Sequence, residues 1–159
     1  MHLSFVDTEE EILAVKRVAR HVSPHLHNAL EIVWVTEGAL ELGVGQELYH
    51  MENGDIGFVF PNIIHHYQVF TNRESVAVFI KSPPFVLSTF DEILLNYAPE
   101  YPIIKAGDVD RETYRALGAV MKTKQTEFAI VQAYLQIVLA RCFRNFKLVE
   151  KRSVGSDDL

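Results

Sequence analysis

The sequence predicts a mainly β fold, a small barrel or sandwich, closed by C-terminal helices. Three observations predict it. Short apolar runs recur through the first 82 residues with turn signals between them. After Pro83-Pro84 the apolar spacing changes to that of helices. A length of 159 residues, 48% of them hydrophobic, suits one core of ordinary size.

The region before residue 20 supports two readings. Thr8 with Glu11 makes a capping box, and Ile12, Val15 and Ala19 fit one helical stripe. The alternation at Leu13, Val15 and Arg17 fits a strand, which is the reading adopted. The acidic run Glu9 to Glu11 is read as a solvated face. Leu30 to Val35 is apolar on both parities, as a strand covered on both faces should be. Ala39 to Val44 and Gln46 to Met51 flank Gly45 as a hairpin. Glu52-Asn53-Gly54-Asp55 is a turn, because Asn and Gly tolerate positive φ. Ile56 to Phe60 makes a strand that stops at Pro61-Asn62. Tyr67 to Phe70 and Ser75 to Ile80 follow, separated by Thr71 to Glu74.

Beyond residue 82 the expectations are helical. Leu87 to Tyr97 makes a short helix closed by Pro99 and Pro102. Asp108 and Asp110 offer N-caps to a helix with Tyr114, Leu117 and Met121 on one face. Thr126 offers a cap to a longer one. Its main stripe is Phe128, Val131, Leu135, Val138, Cys142 and Phe146, with Leu139 alongside. A second stripe, Ile130, Tyr134 and Ile137, either joins the first in one intramolecular core or is free for a partner, and it is assigned to a homodimer interface. The division expected is a barrel over 1–82, a helical, dimerising segment over 83–148 and the start of a linker over 149–159.

Charge and cysteine content exclude several functions. The net charge is −6, from 15 Lys plus Arg against 21 Asp plus Glu. A chain that grips nucleic acid by its phosphates needs a cationic face, so direct DNA binding is not expected. The single cysteine permits no intrachain disulfide and points to a reducing, cytoplasmic setting. No apolar run approaches the roughly 20 residues that span a bilayer. Cys142 itself sits on an apolar stripe and is read as an inert packed thiol.

The most specific chemical feature is His25-x-His27-x3-Glu31-x6-Gly38. If this segment is extended, residues 25, 27 and 31 share parity and face one side. Two imidazoles and a carboxylate are ligand types for a divalent transition metal such as Zn, Ni or Fe. His65, eleven residues after Gly54, is the candidate to complete the set, with Tyr67 on the same face. The same groups also suit a metal-free pocket for an organic effector, or a structural cluster satisfying itself in the interior. A carboxylate inside the apolar run 30–35 must be met by a cation, a metal or hydrogen-bond donors. Trp34 lies on the parity opposite Glu31 and is assigned to packing. His50 and His66 are assigned to the surface.

These residues carry a family resemblance. The stretch from His25 to Gly38 resembles the first cupin motif, and Gly54-Asp55 through Pro61 to His65 looks like the second. That second motif departs from the metal-binding pattern at Ile63, where a glycine is usual. The family's His would also stand five residues after the proline, at His66, whereas His65 fits the count from Gly54. Residues 24 to 38, PHLHNALEIVWVTEG, together with 54 to 67, GDIGFVFPNIIHHY, resemble the sensor domain of AraC-type transcription regulators.

The resemblance implies a cupin barrel (double-stranded β-helix or jelly roll) that binds a small effector, followed by helices that dimerise. It implies a pocket of His25, His27, Glu31, Val33, His65 and Tyr67, with no cofactor or catalytic residue required. DNA would be bound by a helix-turn-helix domain, for which the thirteen residues after Phe146 leave no room. The alternative is a metal-dependent cupin enzyme of dioxygenase or isomerase type, using His25, His27, Glu31 and His65 as ligands.

Overall fold

The computed structural model describes residues 4–6 and 11–151, with Ser4–Val6 described as backbone only. The capping box at Thr8 and most of the acidic run lie outside the described residues. From Leu13 onward the chain alternates as a strand, β2 (Leu13–Val18), in agreement with the adopted reading. The strands that follow are β3 (Val22–His27), β4 (Leu30–Glu37), β5 (Ala39–Val44), β6 (Glu47–Glu52), β7 (Ile56–Val59), β8 (His65–Gln68) and β9 (Val76–Ser82). Two turns need glycine, at Gly45 between β5 and β6 and at Gly54 before β7, with φ of 60° and 94°.

Two five-stranded sheets face one another as a jelly-roll barrel, mostly antiparallel. One has the order β1-β3-β8-β5-β6, where β1 (Ser4–Val6) runs parallel to β3. The other has the order β11-β7-β4-β9-β2, where β11 is Ile103–Ile104. Between the sheets lies one core, including Val33, Val35, Leu40, Leu42, Met51, Tyr67, Ala77 and Phe79. A second core lies on the outer face of the β4 sheet, where Ile32, Ile56, Phe58, Val78 and Ile80 meet the helices. Strand β4 therefore has apolar neighbours on both parities. Its odd residues Glu31, Val33 and Val35 face the barrel, and Ile32 and Trp34 face the helices, where Trp34 packs on Tyr114.

Several expectations are corrected. Strand β8 begins at His65 rather than Tyr67, because pairing with β5 runs from Val44↔His65 to Glu41↔Gln68. Phe70, beyond its end, is exposed. The single helix expected over Leu87 to Tyr97 is a 3-10 segment, Pro84–Phe90, broken at Leu87, then a six-residue helix α1 (Asp91–Asn96). Tyr97–Pro99 leaves that helix as strand β10 and pairs with β12 (Leu148–Glu150). Residues 149 and 150, expected to begin a linker, are thus held in a strand. The 83–148 segment is not purely helical either, since β11 (Ile103–Ile104) extends the barrel sheet by pairing with β7.

The two main helices are α2 (Arg111–Lys122) and α3 (Phe128–Cys142). Asp110 caps α2, accepting from the Thr113 N–H at 2.8 Å; Asp108 does not cap it. On α3 the N-cap position is Glu127 rather than Thr126, and no side chain bonds it. Val131, Leu135, Val138, Leu139 and Cys142 are buried against the sheet and α2. Burial stabilises each large aliphatic chain by about 1.5–3 kcal/mol, which fixes this face of α3. Phe128, assigned to that stripe, is 37% exposed at the helix start. Phe146 lies beyond the helix end, yet its ring meets Phe58 and Phe60. Among the described residues no helix is long and apolar enough to cross a membrane.

Candidate functional site

The barrel interior is divided along its length. One part is solid. A methyl group at Gly57 on β7 would lie 2.9 Å from Leu42 of the opposite sheet and 3.0 Å from Val33, so the sheets touch there through the glycine. Val33 is fully buried in this apolar plug. The other part holds the polar groups, brought together from both sheets. His25 and His27 come from β3, Glu31 from β4, and His65 and Tyr67 from β8.

Residues 25, 27 and 31 do not share one extended segment. The chain bends at Asn28 and Ala29 and passes from one sheet to the other, so parity cannot be counted across the bend. The three side chains converge because each strand independently turns those residues inward. His25 pairs in register with His65. The ring centroids of His25 and His65 are 4.2 Å apart, and those of His27 and His65 4.8 Å. His66 takes no part. Its ring lies over Gly43, where a side-chain carbon would meet it at 1.8 Å, and Gln68 bonds it at 3.0 Å.

Glu31 sits behind the imidazoles. It accepts a short hydrogen bond from the Tyr67 hydroxyl. His27 Nε2 and His65 Nε2 each lie 3.4 Å from one of its oxygens, and Lys81 Nζ lies 3.7 Å away. Lys81 is the register neighbour of Glu31 on β9, so its approach follows from strand pairing. Burial alone would raise the Glu31 carboxyl, but His27, His65 and Tyr67 hold it well below the usual carboxylate range. Burial first, and then the Glu31 charge, push the Tyr67 hydroxyl far up, with Arg17 opposing the rise. Burial lowers the His25 imidazole, and neighbouring His65 lowers it further.

Two of the three histidines are oriented as ligands are. His25 Nδ1 and His65 Nδ1 each lie 2.9 Å from a backbone carbonyl, of Ser23 and Ile63 respectively. A carbonyl only accepts, so each Nδ1 carries the proton and Nε2 is left with its lone pair in the neutral ring. His27 Nδ1, His27 Nε2 and His65 Nε2 are buried without a hydrogen-bond partner, the 3.4 Å contacts to Glu31 missing hydrogen-bond direction. Unmet polar atoms in a folded interior are uncommon and call for an occupant. One ligand atom from each of His25, His27 and His65 lies within 4.8 Å of the others. Two nitrogens on a tetrahedral zinc lie ~3.4 Å apart, so a pair as wide as 4.8 Å would have to close by about an ångström and a half, within reach of side-chain rotation. The three imidazoles thus fit a divalent transition metal. Glu31 is already engaged by Tyr67 and Lys81 and stands outside this three-atom set.

Two charged residues of this region had no motif to announce them. Lys81 is one. Arg17 on β2 is the other, with its guanidinium 4.1 Å above the centre of the Phe79 ring. Both arrive through strand register.

The family model described as the AraC-like ligand binding domain matches residues 11–135. Among curated proteins none matches. Similar solved structures include KdgF from Halomonas sp., 25% identical over 47% of this chain and 71% of that one, with a TM-score of 0.41. An RmlC-like cupin from Shewanella frigidimarina is 24% identical over 48% of this chain and 69% of its own, with a TM-score of 0.40. A point mutant of salicylate 1,2-dioxygenase from Pseudoaminobacter salicylatoxidans is 16% identical over 52% of this chain, with a TM-score of 0.45. This chain spans 25% of the dioxygenase and 21% of a further match from Pseudomonas aeruginosa.

Proposed function

As this chain belongs to the AraC-like ligand binding domain family, we propose that it is the effector-sensing and dimerising part of a transcription regulator. The polar end of the barrel takes a small molecule at His25, His27, Glu31, His65 and Tyr67, with Val33 forming the apolar floor. His25, His27 and His65 could hold a divalent metal there, which when bound would supply a positive centre for an oxygen-bearing ligand. The chain's own residues orient the site. Ser23 and Ile63 fix two imidazoles through their carbonyls, and Tyr67 fixes Glu31.

In this reading α3 pairs two subunits through Ile130, Tyr134 and Ile137. DNA is contacted by a helix-turn-helix domain outside these residues, in the cytoplasm. Ligand binding acts by shifting the populations of barrel conformations, to the extent that it binds one of them better.

The observation that carries the proposal is the convergence of His25, His27 and His65, one ligand atom of each within 4.8 Å of the others, with nitrogens of His27 and His65 that no hydrogen bond meets. The test is metal content together with melting temperature. Protein stripped by chelator and supplied with Zn²⁺, Ni²⁺ or Fe²⁺ should bind about one ion and melt at higher temperature, as any native-state ligand requires. His27→Ala should lose both effects. Unchanged melting and no bound metal would remove the metal, and effector binding would then rest on the metal-free pocket.

A second reading is favoured by the same imidazoles. Three His ligands leave coordination positions open, as metal-dependent oxygenases and isomerases require. Turnover of a small substrate by metal-loaded protein, abolished in His27→Ala, would select it over sensing.

A further inference from the structure

Three consecutive residues between β7 and β8 each lend a main-chain group to a different part of the molecule. The Pro61 carbonyl accepts from Lys151 Nζ at 2.7 Å. The Asn62 N–H donates to the His27 carbonyl at 2.8 Å. The Ile63 carbonyl accepts from His65 Nδ1 at 2.9 Å. This short segment therefore touches two of the three converging histidines on one side and Lys151, just after β12, on the other.

The first two contacts share one peptide unit. The Pro61 carbonyl and the Asn62 N–H are opposite ends of a single planar group, and among the described residues no peptide bond is cis. Lys151 thus pulls on the oxygen of the same plane whose hydrogen holds the His27 backbone. A cation at that oxygen polarises the group and strengthens its N–H as a donor. The segment has little slack, because the Ile63 side chain packs against both the barrel core and the helical core. The far end is equally well held. Lys151 Nζ donates a second time, to the Leu94 carbonyl of α1 at 2.6 Å, and the Lys151 N–H donates to the Asn96 carbonyl at 2.8 Å. Leu94 is fully buried in the helical core. Burial lowers the Lys151 ammonium to about 8, so at pH ~7 it keeps its charge and its three donors.

We propose that the Pro61–Asn62 peptide and the Ile63 carbonyl couple the imidazole cluster to the C-terminal strand β12, with Lys151 as the positioning residue. This rests on the effector-sensing reading and gives that site a route by which its occupancy is read outside the barrel. An occupant of His27 and His65 fixes the segment and so holds Lys151 and β12 in place. Coupling of this kind is reciprocal, so releasing Lys151 loosens the imidazoles and weakens whatever they bind by the same factor.

The test uses the whole protein, with Zn²⁺ alone as the ligand of the imidazoles. By calorimetry Lys151→Met should bind Zn²⁺ about fivefold more weakly than wild type or worse, and Lys151→Arg should recover part of the loss. Lys147→Gln removes a nearby charge that pairs with Glu100 instead, and should leave affinity unchanged. In the wild type, Zn²⁺ should slow hydrogen exchange of the Lys151 amide severalfold. Exchange of the Thr123 amide, at the end of α2, should stay the same. Without metal, nitrogen NMR of the neutral rings should find the His65 proton on Nδ1 in wild type and shared with Nε2 in Lys151→Met. A lysine that only steadied the fold would lower the melting temperature without moving that proton. Zn²⁺ affinity unaltered by Lys151→Met, or weakened equally by Lys147→Gln, overturns the coupling and leaves the metal site standing. A Lys151 amide indifferent to bound Zn²⁺ does the same, and needs no variant to fold. If no form binds Zn²⁺, the metal is removed from the site and the His65 proton decides. Moved by Lys151→Met, it sustains the coupling; unmoved, it ends it.

Discussion

The Tyr67 hydroxyl donates across the barrel to the Glu31 carboxylate, joining β8 of one sheet to β4 of the other. Both groups are buried, so no water can replace the lost partner. Tyr67→Phe removes the donor and leaves a buried carboxylate with His27, His65 and Lys81 only. Loss of a hydrogen bond to a charged group costs about 1.5–3 kcal/mol. At ~2–4 °C per kcal/mol for a domain of this size, calorimetry should show melting lowered by several degrees. Glu31→Gln in the Tyr67→Phe background should cost less than in the wild type, because the two residues act as one unit. Additive losses would show that the pair is not coupled.

His50 gives a pH dependence whose sign can be fixed. Its imidazole on β6 lies between Glu41 of β5, at 2.5 Å, and Glu52 at 3.2 Å. Lys105 approaches it only through the His50 carbonyl. Hydrogen bonds to Glu41, and then Glu52, raise the His50 pKa above its ordinary value. The raised folded value means that the charged imidazole stabilises the fold fully below the unfolded pKa, about 6.5. That contribution fades as pH rises through the folded value. The side chain is half exposed, so the effect is small. NMR titration should place His50 above the ordinary imidazole value and Glu41→Gln should bring it down. Melting of wild type and variant should differ at pH ~5.5 and converge by pH ~8.5. A difference that grows with pH would contradict the assignment.

Much of this site was legible because residue type conflicted with context. Glu31 stands in an apolar strand, and the His25-x-His27 pair precedes it at close spacing. The bend at Asn28 and Ala29 was not legible. Nothing in Asn-Ala marks a crossing between sheets, and the parity argument succeeded only because both strands turn these residues inward. Lys81 and Arg17 were missed for a different reason. They reach the site through the register of β9 and β2, and register depends on pairing over the whole strand rather than on local pattern. The pairing of Tyr97–Pro99 with Leu148–Glu150 is equally non-local, since the two strands lie on either side of both main helices. The stripe of α3, by contrast, needed only its 3.6-residue period.

Cys142 tests that stripe chemically. It is 2% exposed, packed with Leu139 and Val138 in the core under α3. Burial pushes its thiol up to about 12. Only the thiolate reacts with a disulfide reagent, so the native protein at pH ~8 should be inert to Ellman's reagent. The same protein in guanidinium should react with one equivalent. Leu135→Ala, which cuts a cavity in the same core, should destabilise by about 2–5 kcal/mol and expose Cys142 to the reagent at a measurable rate. Prompt native reaction in the wild type would mean that this face of α3 opens freely.

The opposite face of α3 is where a second copy of the chain is expected to sit. Ile130 and Ile137 are 46% and 43% exposed, and Tyr134 between them is half-buried. Spacings of four and three residues put the three on one side of the helix. Exposed Ala133 and Ala140 flank them and would let a partner helix approach closely. A two-fold pairing places the same patch on both sides, so one substitution acts twice. Ile137→Glu would then set two carboxylates against apolar surface, while in an isolated subunit the exposed side chain contributes little. Light scattering should therefore report a dimer for the wild type and a monomer for Ile137→Glu, with the variant's melting no longer dependent on protein concentration. A dimer that survives both Ile137→Glu and Tyr134→Glu would locate the interface elsewhere on the molecule.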